Sequence, residues 1–291
     1  MKEILKKLHK YEIAIRKAIN THMKGDFHSV FKGTGLDFDE VRQYQYGDDI
    51  RTINWNVSAK GHGTFVKTFK EEKEQTVFFV LDVSASQYIG NIDHKKIDLG
   101  KEVCGVLTLS AIKEQSKVGV VCFSDQKEKY IKVDKGLNHA YQIIYKIFSL
   151  QPKSVKTSLS KALQFVLNTL KRRSIIIVIS DFLDVDYMQQ LTATARKHDL
   201  VVIHISDKKE KNIPSLGIIP VLDKEAGKTI WVNSSSSSFK KLLMENFSGN
   251  QSELEKLCRQ YRASYLSLDA NEDFVPKLIK LFKVRNNSRK W

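Results

Sequence analysis

Several short runs of this chain are apolar almost without a break. They include Thr76-Val77-Phe78-Phe79-Val80-Leu81, Val118 to Phe123 and Ile175-Ile176-Ile177-Val178-Ile179. A strand with one wet face alternates apolar and polar residues, whereas a continuous run needs cover on both faces. Segments of helical length separate these runs, near 93–114, 137–149, 157–171 and 186–198. Strands reading 76–83, 117–123, 175–179 and 200–205 alternate with them, with a shorter strand near 128–133. The tail adds a helix near 238–262, a strand near Ser264 to Leu268 and a last helix near 272–283. The expected class is α/β: a doubly wound, mostly parallel sheet flanked by helices and joined by right-handed crossovers.

The first 75 residues have a different texture and are expected to form an appendage to a domain spanning 76–291. Residues 2–20 place Ile4, Leu5, Leu8, Tyr11, Ile15, Ala18 and Ile19 on one helical face, with lysines and Glu3 opposite, so an amphipathic helix docked on its own domain is expected. Residues 22–75 hold six glycines among aromatics and charges and read as loop-rich. Only Thr64 to Phe69 alternates as a strand would.

The chemistry sits where the strands end. Asp82-Val83-Ser84-Ala85-Ser86 follows the first apolar run, so a carboxylate and two hydroxyls leave it at a spacing of two. In an open parallel sheet the ligand crevice lies at the carboxyl ends of the strands. Two further oxygen donors fall at equivalent places: Thr157, at the opening of a helix, and Asp181, directly after the run ending at Ser180. Two carboxylates and three hydroxyls form a hard-oxygen set suited to Mg2+ or Mn2+. Each has a plainer use: Thr157 or Ser158 as a helix cap, Asp181 as a cap of its own turn, Ser84 and Ser86 as partners of loop amides.

D-x-S-x-S followed by Thr and then Asp resembles the metal-ion-dependent adhesion site of von Willebrand factor A domains. The segment Leu36 to Trp55, containing Arg42-Gln43-Tyr44-Gln45-Tyr46-Gly47-Asp48-Asp49-Ile50-Arg51, resembles the signature of the bacterial "domain of unknown function 58" family. In that family the signature precedes a von Willebrand A-type domain. The resemblance implies Asp82, Ser84, Ser86 and Thr157 as direct metal ligands, and Asp181 as a ligand directly or through water. It also implies a MoxR-type AAA+ ATPase as partner, with an adaptor role in protein assembly or metal insertion. Two positions depart from the pattern: Thr157 follows Val155-Lys156 where glycines are usual, and Asn54 stands where Asp is common before Trp55. The cluster of Arg42, Asp48, Asp49 and Arg51 reads chiefly as a polar network fixing a loop, with Tyr44, Tyr46 and Trp55 packed beneath.

Composition narrows the functions. The formal charge of +15 permits an acidic protein, nucleic acid or an anionic surface as partner. Lysines are dispersed along the chain, and the basic clusters, such as Lys171-Arg172-Arg173, accompany no nucleic-acid-binding module. A phosphoester hydrolase of the haloacid-dehalogenase type would need an Asp where Ser84 stands, and no G-x-S-x-G elbow exists for an esterase. Cys104, Cys122 and Cys258 are few and far apart, as buried free thiols in a reducing compartment would be. The start is charged throughout and no apolar run is long enough to span a bilayer, so a cytoplasmic protein is expected, with peripheral membrane contact permitted by its charge. The function expected is a non-enzymatic, divalent-metal-dependent protein-binding adaptor.

Overall fold

The computed structural model describes residues 1–22, 32–61, 63–91, 94–184, 186–207, 210, 214–223 and 228–288. In chain order the elements begin with helix α1 (Lys2–His22), strands β1 (Lys32–Gln43) and β2 (Phe65–Glu74), and between these two a single turn of helix, α2 (Trp55–Ser58). Then come β3 (Thr76–Asp82), the short β4 (Gly90–Asn91) and β5 (His94–Lys95), and α3 (Lys96–Lys113). They are followed by β6 (Lys117–Phe123), β7 (Lys127–Asp134), α4 (Leu137–Phe148), α5 (Leu159–Thr169), β8 (Ile175–Ser180), α6 (Met188–Lys197) and β9 (Asp199–Ser206). The C-terminal part holds β10 (Ile218–Asp223), β11 (Lys228–Asn233), α7 (Ser237–Gln260), β12 (Ser264–Asp269) and α8 (Val275–Ser288).

The apolar runs pair into one six-stranded sheet of order β12-β9-β8-β3-β6-β7. Only β6 and β7 run antiparallel; the other neighbours are parallel. Counted along the chain, the order is that of a doubly wound sheet, and the winding reverses between β3 and β8. This is the α/β architecture expected from the sequence, a doubly wound and mostly parallel sheet flanked by helices.

Strand β3 shows why its run is continuous. Val77, Phe79 and Leu81 enter a core with α1, α3, α4 and α8, whereas Phe78 and Val80 enter a second core with α5, α6 and α7. Each fully buried side chain of this size contributes about 1.5–3 kcal/mol by leaving water. Gly119 on β6 is required by close approach, because a Cβ there would lie 2.7 Å from Val133 Cγ2 and 2.8 Å from Phe78 Cδ2. The three cysteines are buried free thiols, as expected. Burial raises the Cys122 and Cys258 thiols to about 12, so neither is a ready nucleophile.

Helix α1 docks on the domain as its amphipathic face implies, with Leu8 and Ile15 fully buried. One of its charged residues is also buried: Glu12 is 1% exposed and accepts from Lys113 Nζ at 2.5 Å. The segment after it departs from expectation. β1 and β2 form an antiparallel pair over residues read as loop-rich, with register shifts at Gly33/Leu36 and Phe38/Glu40. Three residues of that segment, Gly25, Phe27 and Phe31, lie outside those described. The β10–β11 hairpin was not expected either. Among the described residues no helix is long and apolar enough to cross a membrane.

Candidate functional site

The reversal between β3 and β8 places the end of one strand beside the end of the other. Asp82 is the last residue of β3, and Asp181 follows the last residue of β8. Both are buried, at 1% and 3% exposure. The peptide after Asp181 turns sharply, with Phe182 held at φ +53° and its ring buried. A non-glycine residue in the left-handed region stores conformational strain, a recurrent feature of functional sites.

Asp82 is gripped from three directions. Its Oδ1 accepts from Ser84 N at 2.9 Å. Its Oδ2 accepts from Ser180 Oγ at 2.6 Å and Gln87 Nε2 at 3.3 Å. Ser84 and Ser86 bring their hydroxyl oxygens within 3.1 Å of each other. That spacing is close to the edge of an octahedron around Mg2+, about 2.9 Å for ligands at about 2.0–2.1 Å. Burial, and then the charge of Asp181, push the Asp82 carboxyl up to about 7, and hydrogen bonds from Ser180 and Ser84 offset this only in part. Asp82, buried beside the paired hydroxyls and close to a second carboxylate, makes a donor set that fits a small divalent cation.

The loop bearing Thr157 reaches the same rim. Val155 O accepts from Ala85 N at 3.0 Å, which ties that loop to the one carrying Ser84 and Ser86. Ser158 N bonds Ser124 O at 3.0 Å. Ser158 sits at the N-cap without a side-chain cap bond, and Asp184 Oδ2 accepts from Leu159 N at 2.6 Å instead. Asp181 Oδ1 makes only a long 3.5 Å contact with Leu183 N. Lys156, adjacent to Thr157, is exposed. Among the described residues no group of three or more His, Cys, Asp or Glu is gathered as for an ion, so the hydroxyls are essential to any metal reading.

The lysine that matters is Lys96, which the sequence reading did not single out. It is fully buried, and its Nζ donates to Asp181 Oδ2 at 2.7 Å and Glu210 Oε1 at 2.5 Å. Burial alone would lower its pKa, but Asp181 and Glu210 together hold it above the ordinary value. Burial raises the Glu210 carboxyl, opposed by Lys96. One faint signal marked this residue: Lys96 opens α3, where the helix dipole disfavours a cation. Ser180, Gln87 and Glu210 were also missed, since each is an unremarkable polar residue in its local sequence.

In the signature segment, Arg42 Nη1 and Nη2 each donate at 2.7 Å to one oxygen of Asp48, the bidentate pair expected to fix the loop. Of the three aromatics expected beneath it, Tyr44 is half-buried. Tyr46 and Trp55 are exposed, together with Ile50.

The chain is similar to several known proteins. "Uncharacterized protein Rv1480" of Mycobacterium tuberculosis is 23% identical over 94% of this chain and 87% of its own length. Among solved structures, the conserved hypothetical protein BatB of Bacteroides thetaiotaomicron aligns with 13% identity and a TM-score of 0.47, covering 74% of this chain and 99% of that one. The SpRpn10 VWA domain aligns with 10% identity and a TM-score of 0.41, covering 70% of this chain and 93% of that one. The family described as "Protein of unknown function DUF58" matches residues 40–253, and the chain belongs to it.

Proposed function

We propose that this protein is a non-enzymatic binding module whose partner is captured through a divalent cation, Mg2+ or Mn2+. The observation that carries the reading is the gathering of Asp82, Ser84 and Ser86 with the loop of Thr157 and the buried Asp181 at the sheet's reversal point. Asp82, Ser84, Ser86 and Thr157 would hold the ion. Asp181, one of whose oxygens is engaged by Lys96, suits a role through water. The ion supplies an electrophilic centre for a partner's carboxylate. The chain's own residues orient the hydroxyls and balance the buried charge.

The MoxR-type AAA+ ATPase implied by the family resemblance is the proposed partner, with a role in protein assembly or metal insertion. The exposed Tyr46, Ile50 and Trp55 support a protein partner, since aromatics concentrate at such interfaces. The test is capture on the immobilised full chain with Mg2+ or with chelator. A partner retained with Mg2+, lost with chelator and lost in Asp82→Ala supports the reading. Capture indifferent to both, or calorimetry with Mn2+ that shows no binding heat, overturns it.

A further inference from the structure

At the opposite rim, by the amino ends of β9 and β12, lies a groove of about 810 Å³. Its walls are the end of α7, the start of β12, one side of α8, Asp199 at the start of β9 and Arg173, two residues before β8. Four arginines line it, Arg173, Arg259, Arg262 and Arg285, and no lysine does. The chain holds 38 lysines and 10 arginines. A surface drawn from its cations at random would be lysine-rich, so the all-arginine lining distinguishes this groove from the general positive charge.

The guanidinium groups are not all neutralised. Arg285 is 6% exposed and fixed, its Nη1 donating to Ser264 Oγ and its Nη2 to Asp199 Oδ2, both at 2.7 Å. Arg259 approaches Glu255 at 3.9 Å. Among the described residues no ion pair holds Arg173 or Arg262, so two positive charges remain over the groove. Arg262 occupies the turn that ends α7 at φ +54°, a conformation that favours glycine. The effect of Arg173 reaches the interior: after burial and Lys197, it helps lower the neighbouring His198 imidazole. Planar guanidinium forks match the paired oxygens of phosphate, and several together suit an anion of multiple charge. The groove has the volume of an ordinary small-ligand site. Ala263, Leu281 and Val284 give it an apolar side as well.

We infer that this groove is a binding site for an oligophosphate anion, held by Arg173 and Arg262 over a floor set by Arg285. It is separate from the Asp82 rim and stands or falls independently of the metal reading.

The experiment is calorimetric titration of the full chain with inorganic tripolyphosphate. Saturable one-to-one binding is expected, and Arg173→Ala/Arg262→Ala should weaken it by about tenfold or more, the loss of at least one charged hydrogen-bond pair. Both side chains are exposed, so the variant should keep the wild-type melting curve. Arg173→Lys/Arg262→Lys keeps the charge but removes the forks and should bind measurably less tightly. Lys129→Ala/Lys132→Ala removes the same charge at the far edge of the sheet and should bind as wild type does. A parallel titration with ATP identifies the source: tighter binding places a nucleoside on the apolar side, and equal binding restricts recognition to the phosphates. The inference is overturned if tripolyphosphate gives no heat, if the lysine-to-alanine pair weakens binding as much as the arginine pair, or if only a single-stranded oligonucleotide binds.

Discussion

Replacing Lys96 by Met tests how the buried charge at the sheet's reversal point is balanced. The substitution keeps most of the side-chain volume and removes the ammonium. Asp181 and Glu210, with side chains only 3% and 7% exposed, then lose their shared counter-ion, while the Asp82 carboxyl lies nearby. Removing one partner from a buried ion pair costs about 3–5 kcal/mol, because the stranded charge keeps its desolvation penalty. An unfolding entropy of about 2.1 cal/mol/K per residue gives a chain of this length about 0.6 kcal/mol/K. The melting temperature should therefore fall by about 5–8 °C. Differential scanning calorimetry at neutral pH, in chelator, measures this directly. The damage should be non-additive: Lys96→Met/Asp181→Asn should be less destabilised than the two single variants summed, by about 0.5–3 kcal/mol. A Lys96→Met protein melting within a degree or two of wild type would refute the reasoning, since the ammonium would then not be balancing buried carboxylates.

Three further outcomes are expected. Asp82→Asn should raise stability in the absence of metal at alkaline pH. The native Asp82 carboxyl sits at about 7, above its unfolded value, so stability rises as pH falls from above 7 towards 4 in the wild type. Urea unfolding from pH 5 to pH 8.5 should show the gap between the two proteins widening with pH, and a constant gap contradicts the assignment. His198 behaves in the opposite sense. Burial, aided by Lys197 and Arg173, lowers it to about 4, so the stability it contributes is present above about 6.5 and lost as pH falls through about 4. Its Nδ1 accepts from Ser174 N at 3.3 Å, so His198→Asn can retain an acceptor while flattening that acid limb by up to about 3 kcal/mol. Gly119→Ala should cost about 1–3 kcal/mol in urea midpoint analysis, by driving a methyl group against Phe78 and Val133.

The strands of the sheet were legible because burial on both faces leaves no choice but continuous apolar residues, as in β3 and β8. Asp82 and Asp181 were legible for a related reason: a carboxylate ending such a run stands out against it. Of the β1–β2 pair, the start of β2 was legible in the alternation of Thr64 to Phe69, whereas β1 was not. β1 alternates only from Leu36 to Asp39: Gly33 and Gly35 precede that stretch, Glu40 breaks its phase, and the register shifts at Gly33/Leu36 and Phe38/Glu40 leave no longer run in one phase. Lys96 was hidden by His94-Lys95 before it, a basic stretch indistinguishable in sequence from a solvated surface. Its burial is decided by residues 85 and 114 positions away, and no local pattern carries such a pairing.

Strand β7 closes one side of the sheet and pairs with β6 alone. Its Lys127, Lys129, Lys132 and Asp134 are exposed. An outermost strand presents unpaired amides and carbonyls that invite a second molecule to add itself there. Charges spaced along that border make such stacking between copies electrostatically unfavourable. The protein should consequently stay dispersed at concentrations where a bare border would seed fibrils, and Lys129→Val/Lys132→Val should be where that protection first gives way.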